Sequence, residues 1–107
     1  MTDRELLECA AKAAGLNYEH MLRGYYTDPA FNEVVGWEPL TDDGDALRLA
    51  VKLGLHISQQ LSYVTVCQPH GPAATRGLSW AVPYDAADTY AATRRAIVRA
   101  AAAVGAA

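Results

Sequence analysis

Apolar and polar positions follow two periods along this chain, one close to a helical turn and one close to the alternation of a strand. The first helical stretch opens on Thr2 and Glu5, an S/T-x-x-E spacing whose side chains suit the free amides of a first turn. Leu6, Leu7, Ala10, Ala13 and Ala14 then fall on one side at about 100° per residue, with Arg4, Glu8 and Lys12 opposite. Gly15 supplies the stop. Tyr18, Tyr25, Tyr26 and Phe31 favour a pleated sheet, and Thr27-Asp28-Pro29-Ala30 reads as a turn. This predicts a hairpin with strands near Glu19–Tyr26 and Asn32–Trp37.

A second helix follows Thr41-Asp42-Asp43-Gly44-Asp45. Asp42 or Asp43 can cap it, and all three acids suit the positive end of its dipole. Ala46, Leu47, Leu49, Ala50, Val51 and Leu53 cover more than half its circumference, which predicts a helix held against a sheet and another helix until Gly54 ends it. Leu55–Ile57 and Ser62–Cys67 read as a hairpin, and Leu78–Val82 as a further strand stopped by Pro83. No Lys, Arg, Asp or Glu occurs between Leu53 and Arg76, so this hairpin is expected to be covered or to pair with another subunit. A last helix runs from Asp88 or Thr89 to Val104, with Gly105 as its stop. Tyr90, Ile97, Ala101 and Val104 form its core face, Arg95 and Arg99 its wet face, and Arg94 lies at the margin. The order α-β-β-α-β-β-β-α predicts one α+β domain over residues 1–107: an antiparallel sheet of about four to five strands with three helices packed mainly on one face.

Composition narrows the functional classes. The 107 residues are 51% hydrophobic, enough to build a core, and carry a net charge of −3. An acidic balance argues against binding the phosphate backbone of DNA, with Arg94, Arg95 and Arg99 the sole basic cluster. The polar start Met1-Thr2-Asp3-Arg4-Glu5 lacks the pattern of a secretory signal, and no apolar run approaches the ~20 residues of a membrane span. A cytoplasmic protein with reduced thiols is expected, in which Cys9 and Cys67 act as small apolar fillers.

Candidate chemistry is sparse. The Asp42-Asp43-Gly44-Asp45 cluster lacks the alternate acids and the twelfth-position Glu of a calcium loop, so capping is the simpler reading. His20, His56 and His70 are too widely spaced for zinc, and no nucleophile elbow or phosphate loop is present. No metal, cofactor or enzymatic activity is expected. Trp37, Trp80, Tyr84 and Tyr90 either close the core or wall a pocket that stacks on a planar ligand. Arg23, Arg76 and Arg94 either remain solvated or ion-paired, or supply forks for a phosphate. Asp42 is the acid that either caps its helix or orients such a ligand.

Three blocks resemble small accessory proteins of tailed phages and prophages, the NinX-like family: Thr2-Asp3-Arg4-Glu5-Leu6-Leu7, Trp37 through Leu49, and Tyr90 through Val98. They cover under half of the chain. The resemblance implies a phage-encoded protein acting in the host cytoplasm and no established catalytic residues. Joined to the aromatic and arginine set, it leads to an expected function: a non-catalytic binder that sequesters a small anionic nucleotide signal of bacterial antiphage defence, as a homodimer or higher homo-oligomer. The alternative is a protein that binds and inhibits a host protein through an exposed strand edge.

Overall fold

The computed structural model describes residues 2–16, 25–28, 33–70, 76–84 and 88–106. The elements run α1 (Asp3–Ala14), β1 (Tyr25–Asp28), β2 (Glu33–Gly36), α2 (Asp43–Leu53), β3 (His56–Gln59), β4 (Tyr63–Cys67), β5 (Ser79–Pro83) and α3 (Thr89–Ala106). Each helix begins where its sequence offers a side-chain acceptor. Thr2 Oγ1 accepts from Glu5 N at 3.2 Å, Asp42 Oδ2 from Asp45 N at 2.8 Å, and Asp88 Oδ1 from Ala91 N at 2.9 Å. Gly15 and Gly54 close α1 and α2 in the left-handed region, at φ 73° and 64°, where a side chain would be strained.

The fold is α+β, but the expected sheet of four to five strands does not form; the larger sheet has three, β3-β4-β5, all antiparallel. Among the described residues β1 and β2 pair only with each other, Tyr25 opposite Gly36 and Asp28 opposite Glu33. Strand propensity marks strands but not their partners, and each ladder here is built between chain neighbours. The first hairpin also shifts. Thr27 and Asp28 lie in the β1 ladder rather than in a turn, while residues 17–24 and 29–32 of the expected hairpin lie outside the described residues. Pro83 extends β5 by one residue opposite Tyr63. The Tyr63 carbonyl turns toward β3, where it accepts from Gln60 N, so no donor is needed from Pro83.

One helix organises the core. The α3 residues Ala96, Ile97, Val98, Ala100, Ala101 and Ala102 are all buried, and α3 packs on β4 and β5, on α1 and on α2. Val64, Val66 and Val82 face it from the sheet, with Trp80 and Ile57 beside them. Four sequence expectations are corrected here. Gly105 is no stop but a buried position within α3: a Cβ there would lie 1.9 Å from the Cys9 carbonyl oxygen of α1. The two helices approach too closely for any side chain. α2 packs on α3 and α1 rather than on the sheet, which leaves Leu47 and Val51 59% and 73% exposed. Tyr90, expected in the core face of α3, is 69% exposed because none of the described residues covers the first turn of that stripe. Arg95 is not simply wet; it reaches Asp3 at the start of α1 through two hydrogen bonds of 3.0 and 3.3 Å.

Candidate functional site

The turn between β2 and α2 is fixed by its own side chains. Thr41 N and Asp42 N both donate to the Glu38 carbonyl, and Thr41 Oγ1 donates to Glu38 Oε2 at 3.1 Å. Asp45 is buried; its Oδ2 accepts from Glu38 N at 2.9 Å and its Oδ1 from Arg48 at 2.6 Å. The three acids of the cluster thus divide between a helix cap (Asp42), this internal tie (Asp45) and a bridge to α3 (Asp43). Among the described residues no group of three or more His, Cys, Asp or Glu is placed to hold a metal ion.

Arg94 makes that bridge. Its Nη1 donates to Asp43 Oδ1 at 2.6 Å and its Nε to the Leu40 carbonyl at 2.9 Å. The side chain is only 16% exposed, so the guanidinium is held in place by two fixed acceptors. Its Nη2 has no partner among the described residues. Beside it lies a groove of about 490 Å³. Three periodicities meet to build it. Asp43, Ala46 and Leu47 come from one face of α2; Tyr90, Thr93, Arg94 and Ile97, with Thr89, from one stripe of α3; Ile57 and Gln59 from alternate positions of β3. The apolar floor is Ala46, Ile57 and Ile97. Around it stand the exposed Tyr90 ring, the threonine hydroxyls and the Asp43–Arg94 pair. Thr93 Oγ1 donates to the Thr89 carbonyl at 2.9 Å and keeps its lone pairs as acceptors.

The sequence candidates are distributed unevenly. Tyr90 and Arg94 line this groove, and Asp42 caps the helix that forms one wall, its carboxylate exposed. Trp37 is 7% exposed and belongs to the core cluster. Trp80 is half-buried against that core and lines a different hollow of about 360 Å³ with Leu6, Arg99, Ala102 and Ala103. Tyr84 packs on the core edge after β5, and Arg76 is exposed in the turn before it. Arg23 lies outside the described residues. Sequence reading missed Thr93, Ile57 and Gln59. The 90-93-94-97 spacing on α3 was the available signal for Thr93. Nothing local places β3 opposite it.

Two ionic contacts bind the three sequence blocks together. Arg94 joins the last block to the central one, and Arg95 joins it to the first. Beside Arg95, the Asp3 carboxyl is held below its ordinary range, chiefly by that hydrogen bond and less by the charges of Arg95 and Arg99, with desolvation opposing. Comparison of the chain with known protein families, with curated proteins and with solved structures finds no match.

Proposed function

We propose that the protein is a non-catalytic binding module whose groove between α2, α3 and β3 takes up a small, planar, anionic ligand of nucleotide type. In the phage setting that the sequence blocks imply, the ligand is a signal of host defence, and holding it removes it from circulation. The observation that carries this reading is the joint placement of an exposed aromatic ring, an oriented guanidinium and free hydroxyl acceptors around one apolar floor. A volume of about 490 Å³ falls within the ~300–1,000 Å³ usual for small-molecule sites. The Tyr90 ring offers a stacking face, and Arg94 Nη2 offers a charge-assisted donor whose direction is set by Asp43 and Leu40. The chain's acidic balance is no obstacle, because recognition of a small anion is local.

Calorimetry against cyclic di- and oligonucleotides and ADP-ribose derivatives tests the proposal. Heat from at least one member, with the ligand recovered intact after the protein is denatured, is the expected result. Cleaved products would replace sequestration by hydrolysis, and silence across the panel would remove the reading.

A second reading has its own observation. Leu47 and Tyr90 are exposed apolar side chains that line the groove beside the β3 residues Ile57 and Gln59, the kind of surface beside which a host protein is bound by strand addition. A single stoichiometric protein captured from host lysate, together with silence across the nucleotide panel, would favour it.

A further inference from the structure

Among the described residues the outer edge of β3 is open. Strand order β3-β4-β5 leaves one side of β3 without a neighbour among the described residues. In this ladder Gln60 N donates to Tyr63 O, so the hydrogen-bonded pairs recur at Ser58–Thr65 and His56–Cys67. The backbone groups of Ile57 and Gln59 must then point away from β4, and they have no partner among the described residues. These are the two β3 residues that line the groove.

Such an edge calls for another extended backbone, and β3 is complementary to itself. It contains no Lys, Arg, Asp or Glu, nor does the whole stretch between Leu53 and Arg76, so two copies meet with no such side chains opposed. A single register pairs both outward residues with each other. With Ser58 opposite Ser58 of the partner subunit, Ile57 faces the partner's Gln59 and Gln59 faces the partner's Ile57. Moving the axis by one residue either way, a two-residue slide of the strands, pairs Ile57 or Gln59 with itself and sends the other toward Leu55, whose N–H is already bonded to the Ala50 carbonyl, or toward Leu61 in the hairpin turn. We propose that a second copy of this chain adds its β3 antiparallel to β3 with Ser58 on the two-fold axis, joining two three-stranded sheets into six strands and closing the groove with Gln59 of the partner subunit. Leu47, 59% exposed on α2, lines the same groove as Ile57 and Gln59 and so lies on the side that the partner would close. The pairing stands without any ligand; only its consequence for ligand binding rests on the reading of the groove given above.

Sedimentation and cross-linking test it. The unaltered chain is expected to sediment at twice its 11.5 kDa mass. Ser58→Lys sets two ammonium groups opposite each other on the axis and is expected to return the mass of one chain with an unchanged far-UV spectrum. Ser58→Cys falls at a non-hydrogen-bonded pair, where Cα atoms lie ~4.5 Å apart. It is expected to form a disulfide through residue 58 on mild oxidation, a link that the unaltered chain cannot make. A monomer at every concentration, a dimer indifferent to Ser58→Lys, or a dimer in which Ser58→Cys fails to cross-link would each overturn the pairing. So would a monomer whose β3 edge captures a host protein. A dimer silent toward the nucleotide panel would uphold the pairing and discard the ligand.

Discussion

Asp42, Asp43 and Asp45 are near neighbours in sequence, yet each is anchored to a different group. That acids at this position cap α2 was legible from the chain, because a run of Asp before an apolar helical pattern has few other uses. Which acid ties which donor was not, since Asp45 finds Glu38 N only after the turn has closed. Asp45→Ala leaves the Glu38 amide without its acceptor and removes the carboxylate 2.6 Å from Arg48. It is expected to destabilise the fold by about 1–3 kcal/mol in urea denaturation, whereas Asp42→Ala should cost about 1 kcal/mol as an ordinary lost cap. Gly105 teaches the opposite lesson. Its position near the end of an alanine-rich run reads as a stop, because sequence shows a glycine's freedom but not who approaches it. The approach of the Cys9 carbonyl makes Gly105→Ala a clash of backbone against side chain. The expected loss is about 2 kcal/mol or more, and a loss below about 0.5 kcal/mol would mean that α1 and α3 do not cross there.

At the scale of elements, helical periodicity predicted the three helices, and their caps fixed two of the boundaries to within a residue. It did not tell which apolar face would be left open. Leu47, Val51 and Tyr90 carry the same signal as Leu49 or Ile97, and only the arrangement of α2 and α3 separates them. Tyr90 is therefore the cleanest probe of the groove, exposed and clear of the core. Tyr90→Ala is expected to leave the melting temperature within a degree or two while weakening ligand binding roughly 5- to 150-fold, the loss of one stack. Arg95 joins α3 to α1, and the tie depends on pH. Because the pair holds Asp3 below its ordinary value of 3.8, its stabilisation is complete above the unfolded pKa and is lost as pH falls through the lower folded one. The pair is largely solvent-exposed, which limits it to at most about 1 kcal/mol. Thermal melts of the unaltered chain and of Asp3→Asn should thus differ at pH 7 and converge in acid; a gap that widens in acid would contradict the assignment.

For the molecule as a whole, the element order was readable and the sheet was not, because strand pairing depends on contacts that no local pattern encodes. The absence of Lys, Arg, Asp and Glu between Leu53 and Arg76 led to the expectation that the second hairpin is covered or pairs with another subunit. Among the described residues its β4 strand is buried on one face and β3 is half-buried, with Tyr63 and Leu61 exposed. One side of that sheet is packed on α3, and among the described residues one edge is left open beside the groove. No helix among the described residues is long and apolar enough to cross a membrane. The candidate site was half legible: Tyr90 and Arg94 came from residue type and spacing, whereas Ile57 and Gln59 arrived with the tertiary fold, and Trp37 went to the core. Tyr90, Arg94, Ile57 and Gln59 are proposed to hold a nucleotide-type anion together. Backbone amide shifts recorded while each member of the nucleotide and ADP-ribose panel is added test it most directly. The expected result is a set of changes confined to residues 43–47, 57–59 and 89–97 with one class of ligand. Spectra unmoved by every member, or changes gathered instead around Trp80 and Arg99, would contradict it.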